Sequence, residues 1–365
     1  MTHAPVAQAK NINTVMENNM ARLILKDGSS YEGKSFGYEN SINGEVVFAT
    51  GMTGYTESLT DPSYKGQILV MTYPLIGNYG VASKKTWESE KIQVSGLIVS
   101  NYNDTPSHFD SLQTLSQWLK KEKIPALEIK DTRALTLKIR QKGCILGKIV
   151  FSPYGGPPVG WEDPNLSNLA AEVSVNKPRI VGKGVRTVLL LDCGVKKNII
   201  NELVARNVKV IHAPWDFDPF AKKVKFDGLM ISNGPGDPKM CKATIETVKK
   251  ILEKKIPTFG ICLGNQILAL AAGGDTAKMK FGHRGQNQPV QMLGTQKCFL
   301  TTQNHGFHVS KVPSGFKQWF INLNDKTNEG IIHNKLPFMS VQFHPESCPG
   351  PLDTGWLFDE FIKKL

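Results

Sequence analysis

The sequence predicts an α/β protein in two parts, an N-terminal mixed, strand-rich domain followed by a C-terminal α/β domain with a mostly parallel central sheet. Three observations carry this. The chain has 365 residues, 40% of them apolar, which suits two hydrophobic cores better than one. Short apolar runs punctuated by Gly, Pro, Asn and Asp fill the first part, whereas strand and helix patterns alternate after Val185. Between the two, residues 152–184 are crowded with turn formers, including Gly160, Pro164, Pro178, Gly182 and Gly184.

Taken in order, residues 1–19 lack both the apolar stretch of a secretory signal and the arginine-rich pattern of a transit peptide, and are expected to be a disordered extension. Residues 20–180 form the expected first domain, linker included. Apolar segments at Gln67–Met71 and Val94–Val99 read as strands, and helical periodicity at Leu112–Lys121 and Thr132–Gln141 makes the unit mixed. Residues 181–365 form the second domain. A buried-type strand at Val185–Leu191 is followed by a helix at Lys197–Arg206 and strands at Lys209–His212 and Gly228–Ser232. Ile245, Val248, Ile251 and Leu252 then make one stripe of a helix over Ala243–Lys254, and the apolar strand Ile256–Ile261 follows directly. A last helix is expected near Gly355–Lys364. Such alternation implies βαβ units, whose sites lie at strand C-termini.

Composition narrows the function. The net charge of +12 is scattered among nearby acids rather than gathered in a nucleic-acid module, so a basic surface is expected and no nucleic-acid partner. No window approaches the roughly 18 apolar residues of a membrane span. Six cysteines without a C-x-x-C pair argue against a disulfide framework and against a metal site, and point to a reducing compartment, the cytoplasm.

One of those cysteines stands apart. In Phe259-Gly260-Ile261-Cys262-Leu263-Gly264-Asn265-Gln266 the chain runs from a predicted strand into the apolar helix Ile267–Ala272, with a glycine two residues either side of Cys262. This is the cysteine form of a nucleophile elbow: a tight strand-to-helix turn strains the central residue and holds its thiol at the crest. A helix N-terminus also favours the reactive thiolate. The other five cysteines read as structural thiols.

A thiolate mechanism needs an imidazole and a group to orient it. Among eight histidines, His344 alone ends an apolar strand and has a carboxylate two residues on, in Ser340-Val341-Gln342-Phe343-His344-Pro345-Glu346. In extended chain residues i and i+2 share a face, so His344 and Glu346 are expected to meet. Attack on an amide carbonyl also needs backbone donors for the oxyanion. The amide of Leu263 supplies one, and the turn Asn233-Gly234-Pro235-Gly236-Asp237-Pro238, after the strand Gly228–Ser232, is expected to supply another from Gly236.

These motifs resemble the class I glutamine amidotransferases, marked by a G-x-C-x-G elbow and a late H-P-E. Within them, Ser232–Pro238, Gly260–Gln266, Gln303–Phe307 and Gln342–Glu346 look like the carbamoyl phosphate synthetase members. Gly51–Tyr55 (GMTGY), Thr60–Tyr64 (TDPSY) and Tyr73–Gly80 (YPLIGNYG) resemble the N-terminal domain of that enzyme's small subunit, so the likeness covers nearly everything beyond residue 20. The resemblance implies that Cys262 attacks the side-chain amide of L-glutamine, that His344 and Glu346 complete a triad, and that ammonia leaves before water hydrolyses the thioester. It implies glutamine contacts at Gly234, Gly236, Leu263, Gln266, Asn304, Gly306 and Phe307. It adds Gly51, where some relatives have a serine, here only through its backbone.

Asn265 stands where many glutamine-using relatives have histidine, a departure that bears on efficiency rather than chemistry. Relatives that use free ammonia have lost the cysteine that this chain keeps. Nothing in the chain resembles a nucleotide-binding synthetase, so no cofactor is expected here. ATP and Mg are expected on a carbamoyl phosphate synthetase large subunit or domain, which receives the ammonia for pyrimidine or arginine synthesis. The competing expectations are a regulatory scaffold with a feeble site and an independent cysteine hydrolase.

Overall fold

The computed structural model describes residues 20–151 and 160–365. The expected extension over residues 1–19 and part of the expected linker, 152–159, lie outside the described residues.

The first unit is a closed barrel of seven strands: β1 (Met20–Leu25), β2 (Ser30–Ser35), β3 (Ile42–Ala49), β4 (Gln67–Met71), β5 (Gly96–Val99), β6 (Ala126–Glu128) and β7 (Ile145–Phe151), in the order β1-β2-β6-β5-β4-β3-β7. β4 and β5 are buried along their whole length, which explains why they read as continuous apolar runs rather than as an alternation. Three helices pack on it, α1 (Tyr55–Thr60), α2 (Leu115–Lys121) and α3 (Thr132–Lys142). The expected start of α2 at Leu112 moves to Leu115 because Thr114 closes a capping box with Gln117. Because β3 runs parallel to β4, and β4 to β5, the loops that leave their C-terminal ends emerge on one side of the barrel. Two of those loops carry the motifs at residues 51–55 and 73–80.

The segment 160–184 is not plain linker. It holds α4 (Leu169–Val173) and β8 (Arg179–Val181), and β8 pairs with a strand of the second sheet, so the chain has entered that sheet at the residue where the boundary was expected. The sheet continues with β9 (Arg186–Asp192), β10 (Val208–Pro214), β11 (Gly228–Ile231), β12 (Thr258–Ile261), β13 (Asp275–Met292), β14 (Cys298–Lys311), β15 (Phe316–Asn322), β16 (Asn328–His333) and β17 (Phe338–Val341). Its order is β14-β13-β15-β16-β17-β12-β11-β9-β10-β8. The run β17-β12-β11-β9-β10 is parallel, as expected, and is flanked by antiparallel strands. Its helices are α5 (Lys197–Ala205), α6 (Lys242–Glu253), α7 (Leu263–Ala271) and α8 (Trp356–Ile362). Phe259, Phe358 and Phe361 are fully buried on one face of the sheet, and Leu189, Ile267 and Leu268 on the other. No helix among the described residues is long and apolar enough to cross a membrane.

Candidate active site

Cys262 is the N-cap of α7 and has φ 55° and ψ −105°, a conformation that L residues rarely adopt. The two glycines explain how the turn closes. A Cβ on Gly260 would lie 2.4 Å from the Gly264 carbonyl oxygen, and one on Gly264 would lie 2.2 Å from that of Ile231. Both clashes are with backbone, which side-chain rotation cannot relieve. Gly264→Ala is therefore expected to destabilise the protein by about 3 kcal/mol and to slow any reaction at Cys262. Urea titration beside turnover checks this, and an unchanged midpoint would refute the close-packing account.

The thiol is buried and faces the Asn304 carbonyl oxygen at 3.6 Å. His344 Nδ1 lies 2.6 Å from Glu346 Oε1, so the expected imidazole–carboxylate pair is present, but for a different reason. β17 ends at Val341, and residues 344–347 form a turn closed by the Ser347 N–H donating to the His344 carbonyl at 3.1 Å. The pair meets through this turn and not through strand alternation. The other nitrogen, Nε2, has no formal hydrogen-bond partner. Burial pulls the imidazole pKa down, but the Glu346 carboxylate and a Cys262 thiolate push it up to about 10. Burial raises the Glu346 carboxyl, yet the Lys196 ammonium and His344 bring it down to about 2.

Lys196 carries no motif, and sequence reasoning passed over it. It lies between β9 and α5, only 2% exposed, with Nζ 3.1 Å from Glu346 Oε1 and also donating to the Ser347 carbonyl. Its own pKa is lowered by burial but raised further by Glu346, Glu88 and Asp61.

A cleft of about 460 Å³ opens beside Cys262. Seven of the expected glutamine contacts, Gly234, Gly236, Leu263, Gln266, Asn304, Gly306 and Phe307, line it. Gly236 has φ +82°, and a Cβ on Gly234 would lie 2.0 Å from the Cys193 carbonyl oxygen, so the loop admits only glycine there. Leu263 opens α7, where backbone N–H groups have no intrahelical acceptor. Gln266 Nε2 donates to the Phe307 carbonyl at 2.7 Å, tying α7 to β14.

The eighth expected contact is not in this cleft. Gly51 lines a neighbouring one of about 400 Å³ with Lys196, His344 and Pro349. The chain turns there after β3, and the Thr50 N–H donates to the Arg284 carbonyl at 3.1 Å. The serine that does line the Cys262 cleft is Ser63, from the motif Thr60–Tyr64. Its hydroxyl accepts from Asn233 Nδ2 at 3.0 Å, while Asp61 of the same motif accepts from Asn304 Nδ2 at 2.8 Å. The barrel thus fastens both the glycine turn and the β14 segment that face Cys262. A serine inside a recognisable motif was the available signal.

Asn265 faces elsewhere: its side chain donates to Gln342 Oε1 at 3.1 Å and accepts from Ser340 Oγ at 2.8 Å, joining α7 to β17 and the chain beyond it. It serves packing and does not border the cleft. His283, His305 and Glu329 place three potential ligand atoms within 4.8 Å of one another. His283 Nε2 lies 2.8 Å from Asp325 Oδ2 and its Nδ1 lies 3.3 Å from Glu329 Oε1, while His305 Nδ1 lies 2.9 Å from the Phe307 carbonyl oxygen. These contacts make the cluster a buried polar network that reaches the cleft through His305.

Comparison with known proteins agrees with this layout. Residues 189–364 match the family "Glutamine amidotransferase class-I", and residues 23–149 match "Carbamoyl-phosphate synthase small chain, CPSase domain". The multifunctional protein CAD of Squalus acanthias is 50% identical over 94% of this chain and 16% of its own length. The mitochondrial carbamoyl-phosphate synthase [ammonia] of Homo sapiens is 48% identical over 94% of this chain and 24% of its own. The multifunctional protein pyr-3 of Neurospora crassa is 47% identical over 94% of this chain and 21% of its own. The chain therefore spans a quarter or less of these relatives. A glutamine amidotransferase from Thermotoga maritima is similar in structure, with 20% identity and a TM-score of 0.37 over 50% of this chain and 86% of that one. With both domains matched in order, the chain belongs to the carbamoyl phosphate synthase small-chain family and carries a class I glutamine amidotransferase domain as its second half.

Proposed function

We propose that the chain hydrolyses L-glutamine to glutamate and ammonia through a thioester on Cys262 and delivers the ammonia to a carbamoyl phosphate synthetase large subunit or domain. The observation that carries this reading is the cleft in which Cys262, at a strained helix N-cap, is bordered by Leu263, Gly234 and Gly236, with the buried His344–Glu346 pair beside it.

In this mechanism the Cys262 thiolate bonds to the side-chain amide carbon, and the carbonyl oxygen takes the negative charge beside the N–H groups of Leu263 and Gly236. Protonated His344 gives its proton to the amide nitrogen as the carbon–nitrogen bond breaks, releasing ammonia and leaving the thioester. Neutral His344 then takes a proton from water, whose oxygen attacks the thioester carbon. Glutamate departs, and the thiolate and imidazolium are restored. Glu346 holds the imidazole with Nδ1–H toward the carboxylate, so that Nε2 does the proton work.

The reading places no cofactor on this chain; ATP and Mg belong to the partner. The pathway served is pyrimidine or arginine synthesis, and the compartment is the cytoplasm. Of the two features that suggested a scaffold role, Asn265 and the basic surface, Asn265 packs α7 against β17 and the chain beyond it rather than bordering the cleft.

The test is acid quench of the chain during turnover with L-glutamine, followed by peptide mass spectrometry. A γ-glutamyl adduct is expected on Cys262 alone. Glutamate release with no adduct at Cys262 would refute the thioester route, and no release with or without the synthetase would refute the function.

A further inference from the structure

We propose that Glu88, a barrel residue outside the Cys262 cleft, is a positioning residue for the reaction: it caps α5 from the other domain and so holds Lys196 and Asn198 against the Glu346 turn. The proposal rests on the glutaminase reading and adds to it a residue that does not line the cleft.

α5 begins without a cap of its own. Its N-cap is Lys196, which makes no side-chain hydrogen bond to the helix, because a lysine has only donors and the first helical N–H groups need acceptors. Glu88, on the loop between β4 and β5, supplies what is missing. Its backbone carbonyl accepts from the Lys197 N–H at 2.9 Å, and its carboxylate accepts from the Asn198 N–H at 3.1 Å. A carboxylate also suits the positive end of the helix dipole. Glu88 is buried and is itself fixed to the end of α1. Its N–H donates to Thr60 Oγ1 at 2.9 Å, and the Ser89 hydroxyl donates to the Thr60 carbonyl at 2.6 Å.

The helix start that Glu88 holds is where the groups around Cys262 are tied together. Lys196 Nζ donates to the Glu346 carboxylate and the Ser347 carbonyl, and Asn198 Nδ2 donates to the Glu346 carbonyl. The Lys196 N–H donates to Asn233 Oδ1 at 2.9 Å, one residue before the glycine turn. Residues 196–198 therefore fix both the acid that orients His344 and the loop that faces Cys262. A serine or aspartate at position 196 would cap α5 from within, but would bring no cation to Glu346. With the cap supplied by the barrel, the N-cap position is free to carry an ammonium.

Glu88→Ala removes the acceptor for Asn198 and is expected to lower kcat for glutamine hydrolysis by about tenfold or more, with KM within about twofold of wild type. Glu88→Gln keeps a side-chain oxygen for the Asn198 N–H and should recover kcat to within about threefold of wild type. A second readout needs no turnover. Cys262 alkylation by iodoacetamide should slow in Glu88→Ala by a similar factor, because a displaced Glu346 leaves His344 less able to hold the thiolate. Asn198→Ala cuts the link from α5 to the Glu346 carbonyl and should reproduce the kcat loss, so it decides the matter should Glu88→Ala fail to fold. Wild-type kcat and alkylation in the variant that folds, or a KM that rises as much as kcat falls, would overturn the proposal. So would a Glu88→Gln no better than Glu88→Ala, since the capping oxygen would then count for nothing. A wild type that turns over no glutamine, but in which Glu88→Ala still slows alkylation, refutes the glutaminase reading and leaves this one standing.

Discussion

On the proposed function, Cys262→Ala is expected to lower glutamine hydrolysis by about 10⁴-fold or more, while a complex with the proposed synthetase partner still makes carbamoyl phosphate from added ammonia. The size follows from what the change removes. The proposed oxyanion donors, the N–H groups of Leu263 and Gly236, and the His344–Glu346 pair remain, but no atom is left to bond to the amide carbon, and direct attack by water on an unactivated amide is very slow. The change should leave the fold alone, because residue 262 keeps its φ of 55° and loses only one buried sulfur atom. Glutamate release measured beside ammonia-driven synthesis separates the two activities. Hydrolysis surviving within tenfold of wild type would place the chemistry elsewhere, and joint loss of both activities would mean that Cys262 matters to assembly instead.

The elbow was legible because its geometry is written in glycines: a Cβ on Gly260 or Gly264 would meet a backbone oxygen within 2.4 Å, so the local sequence carries the constraint. The central parallel strands were legible for a similar reason, since full burial leaves uninterrupted apolar runs. The antiparallel flank of the second sheet was not. β13 runs from Asp275 to Met292 with a largely polar sequence and three register shifts against β14, so no period of two survives. His344 and Glu346 were matched correctly through an extended geometry that is absent, because a strand and a turn both bring i and i+2 together. Gly51 was carried over from the family resemblance, as a position where some relatives have a serine, whereas the loop that reaches the cleft from the barrel carries Ser63. Lys196 had no local signal at all: its position follows from Glu346, 150 residues away.

Lys196→Met should then cost about 3–5 kcal/mol of folding stability, more than its loss of contacts explains. The ammonium is buried with two carboxylates, Glu346, whose pKa it lowers, and Glu88, whose carboxyl burial raises against the same ammonium. Removing it strands their charge on two buried carboxylates. The sign with pH follows from Glu346. In the wild type its folded pKa of about 2 lies below the ordinary 4.5, so its contribution is complete above pH 4.5 and is lost as pH falls toward 2. Without Lys196 the folded pKa rises, the contribution shrinks, and the acid limb moves to higher pH. His344 works in the opposite sense: raised from 6.5 to about 10, it contributes fully below pH 6.5 and loses that contribution as pH climbs through 10. Urea titrations of the wild type, Lys196→Met and the double variant Lys196→Met/Glu346→Gln between pH 4 and 9 separate charge from packing. If the stranded charge is the cause, replacing Glu346 as well recovers part of the lost stability, because a buried pair removed together costs less than one partner removed alone. A double variant no more stable than Lys196→Met at any pH would show that the methylene stem of Lys196, and not its ammonium, holds this part of the site together.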